Sequence, residues 1–479
     1  MKSVMTAGQL QARVPQADIQ RSKFNRSHGL KTTFDTDQLV PILIDEVLPG
    51  DTHKLNASLF ARLATPINPL MDNMYLDTFY FFVPKRLVWD NYDKFFGAQD
   101  NPGDSTDYLI PVTQLNDTSP ATDPMSIPDY MGLPINKTSQ VSTLPLRAYW
   151  LIWDEWFRDQ NLQEKAQIVK NDTATIIENI TQYDWWTPAP RGKRHDYFTS
   201  CLPFAQKGEP VGIPITGTAG ISISTDAASQ SYVGIQSGPD KKYMQVDPGQ
   251  TGTAVTLGNV LNSIPDNDML YADLSQASAA SINEWRQAFQ IQKFLERDAR
   301  GGTRYTEKIK AHFGVTSPDA RLQRPEYLGG SSTPINIHPV AQTTSTDGTS
   351  PQGNLAAFGT ASENGSGFTK SFTEHGYIIG LANVRADLTY QQGVDKLWSR
   401  QTQYDFYFPT FAHLGEQAVL NKEIFVTGTA KDEDVFGYQE RYAEYKYKRS
   451  QLTGLFRSDS GASLDSWHLS QDFTDTPTL

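Results

Sequence analysis

MYLDTFYFFVPKRLVWDNYDKFFG, Met74–Gly97, is the densest aromatic stretch of the chain. Met74–Val83 has the length of a single strand. Successive side chains of a strand point to opposite faces. Phe79, Phe81 and Val83 therefore share one side, and Tyr80 and Phe82 the other. A strand apolar on both faces must be covered on both, so its place is the middle of a sheet. Pro84 lacks a ladder donor and ends it. The expectation is the spine of a large β-sandwich.

Working outward, Val40–Val47 is a short apolar run with β-branched residues. Lys54–Ala64 alternates, with Leu55, Ala57, Leu59, Ala61 and Leu63 on one face, as a half-buried strand does. Pro66 and Pro69 mark the turn into the central strand. Downstream, Ala98–Thr143 carries six prolines and reads as a long surface connection, with Tyr108–Val112 as a short strand candidate. Leu144–Asn161 is a predicted helix. Pro145 suits its first turn, and Leu146, Tyr149, Trp150, Trp153, Trp156 and Phe157 make one stripe. That stripe reads as packing against a sheet rather than as a ligand face.

Gln182–Arg194, QYDWWTPAPRGKR, sets Trp185 and Trp186 beside Arg191, Lys193 and Arg194. Aromatics interleaved with cations suit single-stranded nucleic acid, and equally an interface between proteins. Gln206–Met269 is rich in Gly, Ser, Thr, Asp and Pro, with short β-like pieces at Gly220–Ser224 and Thr253–Leu257. It has too few large apolar residues for a core of its own and reads as a surface insertion.

Ser281 and Glu284 form a capping-box pair ahead of a second helix with Ile282, Trp285, Phe289, Ile291, Phe294 and Leu295 on its apolar side. Gly301-Gly302 stops it, and Thr306–Phe313 continues as a shorter helical piece. Arg297, Arg300, Arg304, Lys308 and Lys310 cluster there with Asp298, suited to phosphate or to a neighbouring subunit. From Pro318 the chain reads as loop, including the Ser/Thr/Gly/Asn-rich stretch Ser331–Gly367. Tyr377–Tyr390 alternates as a strand. Tyr404–Phe408 and Glu423–Thr429 are further strand candidates, and Gln439–Lys448 an interfacial strand or helix.

The chain has 479 residues, 38% of them hydrophobic and 20% charged, which excludes both a membrane protein and a disordered one. No apolar run reaches transmembrane length, and MKSVMTAGQLQARVPQ lacks the apolar centre of a secretion signal. Cys201 is the only cysteine and reads as a small buried side chain, so a disulfide within the chain is excluded. The net charge of −12 argues against a stand-alone nucleic-acid binder. Residues 1–34 depart from this balance. Lys2, Arg13, Arg21, Lys23, Arg26 and Lys31 stand against Asp18 alone, a basic arm that either faces nucleic acid or packs beneath a neighbouring subunit.

Motifs for catalysis are missing. The phosphate-cradling G-x-x-x-x-G-K-[ST] and G-x-G-x-x-G patterns do not occur, nor do H-E-x-x-H and G-x-S-x-G. The eight histidines lack metal-ligand spacing, and His375 reads as structural. Asp432, Asp434 and Gly437 imitate the start of a calcium loop, but Ala443 stands where the bidentate Glu is needed. No catalytic residue, metal site or cofactor is expected within one chain. A divalent cation held between subunits is not legible in a single sequence.

Several segments resemble the major capsid protein of microviruses, in particular the gokushovirus group. They are RSKFNRSHGL at Arg21–Leu30, FYFFVPKR at Phe79–Arg86 and QAFQIQKFLERDARGG at Gln287–Gly302. The longest is HFGVTSPDARLQRPEYLG at His312–Gly329, followed by KSFTEHG at Lys370–Gly376 and RADLTYQQG at Arg385–Gly393. HLGEQAVLNK at His413–Lys422 and DVFGYQER at Asp434–Arg441 complete the series. The resemblance implies a mainly β fold, an eight-stranded antiparallel jelly roll with long loop insertions and a few helices. It divides the chain into the arm 1–34, the jelly-roll domain 35–205 and 270–479, and the insertion 206–269, which would form protrusions at three-fold axes and serve host attachment.

The resemblance also implies pentamers and a closed T=1 shell of sixty copies around circular single-stranded DNA. A small basic internal DNA-packaging protein, a host cell-surface receptor and a short tail beyond Leu479 are expected with it, and membrane insertion is not. Arg21, Lys23, Arg26, Arg191, Lys193 and Arg194 are the candidate contacts to genome or internal partner. Leu87–Gly97 is expected to pack as a helical turn where subunits meet. The rival reading, from the tryptophans and polar loops, is a carbohydrate-binding or hydrolysing β-sandwich. The missing secretion signal weighs against it.

Overall fold

The computed structural model describes residues 20–105, 107–116, 120–178, 184–209, 211–212, 282–302, 305–314, 323–346, 348 and 351–479. It also describes five short strands between residues 213 and 281. The capping residue Ser281, Arg304 and most of the insertion lie outside the described residues.

Six strands form one antiparallel sheet: β1 (Val40–Val47), β2 (Thr52–Arg62), β3 (Met74–Pro84), β4 (Glu326–Ala341), β5 (Leu355–Ser371) and β6 (Gly376–Ala386). Their order is β1-β6-β3-β4-β5-β2, which puts β3 inside the sheet as its two apolar faces require. The sheet curls into a half-barrel, and its register shows how. β1 pairs with β6 from Val40↔Ala382 to Val47↔Gly376. The pairing resumes beyond the turn with β2 on β5, from Thr52↔Ser371 to Arg62↔Thr360.

Residues 40–62 and 360–382 are therefore one two-stranded ribbon folded across a corner. At that corner Phe372 N–H donates to the Asp51 carbonyl at 2.9 Å, and Gly50 N–H to the Phe372 carbonyl at 2.7 Å. Gly50 turns the corner at φ +89°, a conformation that favours glycine. A ribbon wrapped around its own core is the construction of a jelly roll. Gly376 lets the ribbon close on β3, because a Cβ there would lie 2.6 Å from Cζ of Phe82.

Each face of β3 has its own core. Phe81 and Val83 join Tyr377, Ile379 and Leu381 of β6 under helix α1 (Leu144–Ile152). On the other face Phe82 meets Ile378 and Phe372. Leu76 there meets Val384 of β6 and Ala361 of β5, inside the curl. Helix α1 is shorter than its apolar stripe suggests. It passes into a π-turn at Trp153–Phe157 and leaves at Arg158, whose guanidinium folds back on the buried Asp154 at 2.6 Å. Trp150 and Trp153 of the tryptophan stripe pack in the core as expected, whereas Trp156 is 40% exposed. Trp150, Trp153 and Trp156 donate their indole N–H groups to the carbonyls of Trp185, Pro190 and Pro325, tying loops to the helix.

The structure corrects three expectations. Ser331–Gly367, read as loop, lies largely in β4 and β5, the longest strands described. Tyr404–Phe408 is no strand, because the Asp405 carboxylate accepts from the N–H groups of Gln401 and Thr402 and closes a turn. Within Glu423–Thr429, Glu423 instead completes a short helix at Asn421–Ile424, its carboxylate accepting from Leu420 N–H. A small sheet of β7 (Glu416–Leu420) and β8 (Val435–Glu440) stands beside the large one and binds Leu202 through paired backbone bonds to Tyr438.

Helices α2 (Ile282–Arg300) and α3 (Tyr305–Phe313) follow the insertion. Among the described residues, no helix is long and apolar enough to cross a membrane.

Candidate assembly and genome-facing surfaces

The described part of the arm, residues 20–34, runs without regular structure along the β1 edge. Arg21 donates to the Gly50 carbonyl at the ribbon corner. Arg26 forks onto Asp45 of β1, with both nitrogen–oxygen distances at 2.8 Å. That pair is exposed, so its contribution to stability is small. Lys23 is exposed between them. Phe34 packs inside the curl and anchors the arm there.

The loop cations belong to a second place. Arg191 crosses β3, where Asp77 and Phe79 are same-face neighbours. Its guanidinium lies 4.6 Å from the Phe79 ring centre and donates to Asp77 Oδ2 at 2.6 Å and to Asn383 Oδ1 at 3.2 Å. Arg385 of β6 reaches the same carboxylate oxygen at 3.3 Å and the Gly192 carbonyl at 2.8 Å. Burial alone would raise the Asp77 pKa. Hydrogen bonds from Ser332 and Arg191, with the Arg191 charge, reverse that and hold it below the usual carboxylate range. Burial, then the charge of Arg385, bring Arg191 down to about 10 against the pull of Asp77. Lys193 donates to Gln471 Oε1 at 2.5 Å. Arg194 pairs with Asp387 at 3.0 Å and lies over the Tyr75 ring.

These three loop cations line one open cleft of about 1210 Å³. Arg158, His195 and Arg385 add to its polar wall, Phe79, Phe81, Trp156 and Tyr327 to its apolar wall, and Pro477, Thr478 and Leu479 also line it. Trp185 and Trp186 stack on each other at 4.1 Å with Trp186 in the core, and the aromatic lining of the cleft comes instead from β3, β4, the π-turn and Phe198, Tyr390, Phe436 and Phe473. Sequence reasoning missed Asp77, Arg158 and Arg385. The signal for Asp77 was a lone carboxylate in an apolar strand.

Other expected features fall as follows. Cys201 is buried, and burial pushes its thiol up to about 12. His375 stacks on Phe96 at 4.9 Å, and burial followed by the Lys85 charge lowers its pKa. In the Leu87–Gly97 segment Trp89 and Tyr92 point into the main core while Phe96 stays exposed. Asp432 closes a turn by accepting from Thr427 and Gly428. Among the described residues no three potential metal ligands gather. Among the described residues, exposed apolar side chains gather in two places, the apolar side of α2 and the loops between Leu397 and Leu414.

Residues 12–479 match the family described as "Capsid protein (F protein)". The chain is 50% identical to capsid protein VP1 of Bdellovibrio phage phiMH2K, over 98% of this chain and 88% of that protein. It is 43% identical to capsid protein VP1 of Chlamydia phage 1, over 97% and 89%. With capsid protein VP1 of Spiroplasma virus 4 the identity is 38%, over 96% and 87%. The gokushovirus resemblance of the quoted segments is thus borne out along nearly the whole chain, which belongs to the phage capsid protein (F protein) family and is a component of the virion.

Proposed function

We propose that this chain is the non-enzymatic structural subunit of a closed T=1 shell, sixty copies arranged through pentamers around a circular single-stranded DNA genome. The observation that carries the proposal is the near full-length match to capsid proteins. The corner-folded ribbon supports it as a rigid wall element. Residues 206–269 form the surface insertion and meet a host receptor. The basic arm, with Arg21, Lys23 and Arg26, and the cleft walled by Arg191, Lys193 and Arg194 face inward. There they meet DNA directly or through a small basic internal protein, a partner suited to a subunit of net charge −12.

Purified protein, alone or with that internal partner, should show closed shells by electron microscopy. Strictly monomeric protein under every assembly condition would overturn the proposal. Replacing Arg21, Lys23 and Arg26 by Gln should lower the DNA content of assembled particles, read as the 260/280 nm absorbance ratio. Unchanged DNA content would leave the arm a structural role only.

A further inference from the structure

We infer that the aromatic loops between Leu397 and Leu414, with Tyr445, are a docking surface for a second copy of this chain. The inference rests on the shell reading above and names one contact that builds it. The segment is held by three short 3-10 turns, Lys396–Trp398, Gln403–Asp405 and Pro409–Phe411. The Tyr442 hydroxyl donates to the Phe406 carbonyl at 3.1 Å. Arg400 reaches Glu444 at 3.4 Å and lies over the rings of Tyr445 and Phe406. The turns and the rings of Phe406 and Tyr445 are thus held before any partner arrives, which lowers the ordering cost of binding.

Despite that support, Trp398, Tyr404, Phe406, Tyr407, Phe408 and Tyr445 are each between 45 and 78% exposed. At roughly 200 Å² per aromatic side chain, these six leave on the order of 650 Å² of surface open. The largest apolar patch of an ordinary monomer is about 300–600 Å². One side of a standard protein–protein contact is about 800 Å². The patch therefore has the size and the aromatic-plus-arginine composition of a contact centre.

Its charges argue for protein over nucleic acid. Arg400 is paired with Glu444, Lys396 with Glu423, Lys446 with Glu440 and Lys448 with Asp395. A single strand of DNA needs stacking rings inside an electropositive groove, and here these four neighbouring cations are already compensated.

The test uses the full chain with Trp398→Cys. The native Cys201 is buried with its thiol pushed up to about 12, so it adds no background reaction. A maleimide should label position 398 quickly in free subunits and at least tenfold more slowly in assembled particles. Tyr404→Lys should reduce the assembled fraction at least tenfold while the urea midpoint of the subunit stays unchanged. Should that variant misfold, Tyr404→Cys labelling replaces it, with the same tenfold protection expected. Wild-type protein that never assembles overturns the shell reading itself. Assembled Trp398→Cys particles that label as fast as the free subunits, or normal assembly of folded Tyr404→Lys, overturn this contact and leave the shell reading intact. Protection of free subunits by an oligonucleotide or a glycan overturns it in favour of that ligand.

Discussion

Asp77 shows how much one side chain of the central strand carries. It sits two residues from Phe79 on the same face of β3, so Arg191 can rest on the ring and bond the carboxylate at once. Arg385 arrives from the neighbouring strand β6. One carboxylate thereby fastens the loop at Arg191 to the sheet. Asp77→Asn removes the carboxylate that two largely buried guanidinium groups share, leaving Arg191 without its paired charge and Arg385 only the charge of Asp37, and should cost about 3–5 kcal/mol in urea unfolding of the subunit at pH 7. The pH dependence has a definite sign. The folded pKa of Asp77 is lowered from 3.8, so the native state holds this proton less than the unfolded chain does. Its contribution is fully present above pH 3.8 and is lost as pH falls through the lower, folded value. Wild type should therefore lose stability below pH 3.8 more steeply than Asp77→Asn does.

Elements were legible where apolar side chains are large and illegible where small ones do the packing. β1, β3, β6 and α1 announced themselves through Val, Ile, Phe and Trp. β5 keeps the same two-residue alternation, but Ala357, Gly359 and Ala361 hold the buried positions, so hydrophobicity gives no signal. Its existence is decided by pairing with β2 and β4, a long-range fact absent from local composition. Helix α2 errs the other way. Its period is right, yet Ile282, Trp285 and Phe289 stay exposed, and its attachment lies at the C-terminal end. There Arg300 pairs with the almost fully buried Glu416 of β7, and Gln206 bonds Gln292. Burial raises the Glu416 pKa above 4.5, and Arg300 opposes that rise. Arg300→Met should cost about 1–2 kcal/mol, discounted because the guanidinium is half exposed. It should also speed hydrogen exchange along α2. Because the folded pKa of Glu416 then rises further, the loss should grow as pH rises through the wild type's raised folded value, above 4.5. Unchanged exchange in the variant would mean that α2 is held elsewhere.

The whole subunit sets an exposed aromatic contact against its own charge. In the proposed shell, copies at −12 each would repel one another, while burial of the exposed aromatic loops would draw them together. The arm and the cleft are basic exceptions within this acidic total, and the site was only partly legible for that reason. Arg21, Lys23 and Arg26 stand out as a run, whereas the cleft gathers Arg158, the Arg191–Arg194 loop and Arg385 from segments far apart in the chain. Salt separates the two forces. Raising ionic strength from about 0.01 to 0.15 M shortens the screening length from about 30 to about 8 Å, which weakens repulsion between subunits and leaves apolar contact intact. Assembly of purified wild-type subunits, followed by light scattering, should therefore increase over that range. Tyr404→Lys should stay unassembled throughout, since screening cannot restore a lost apolar contact. A wild-type signal that falls with salt would instead make opposite-charge pairing, not the aromatic loops, the dominant link between copies.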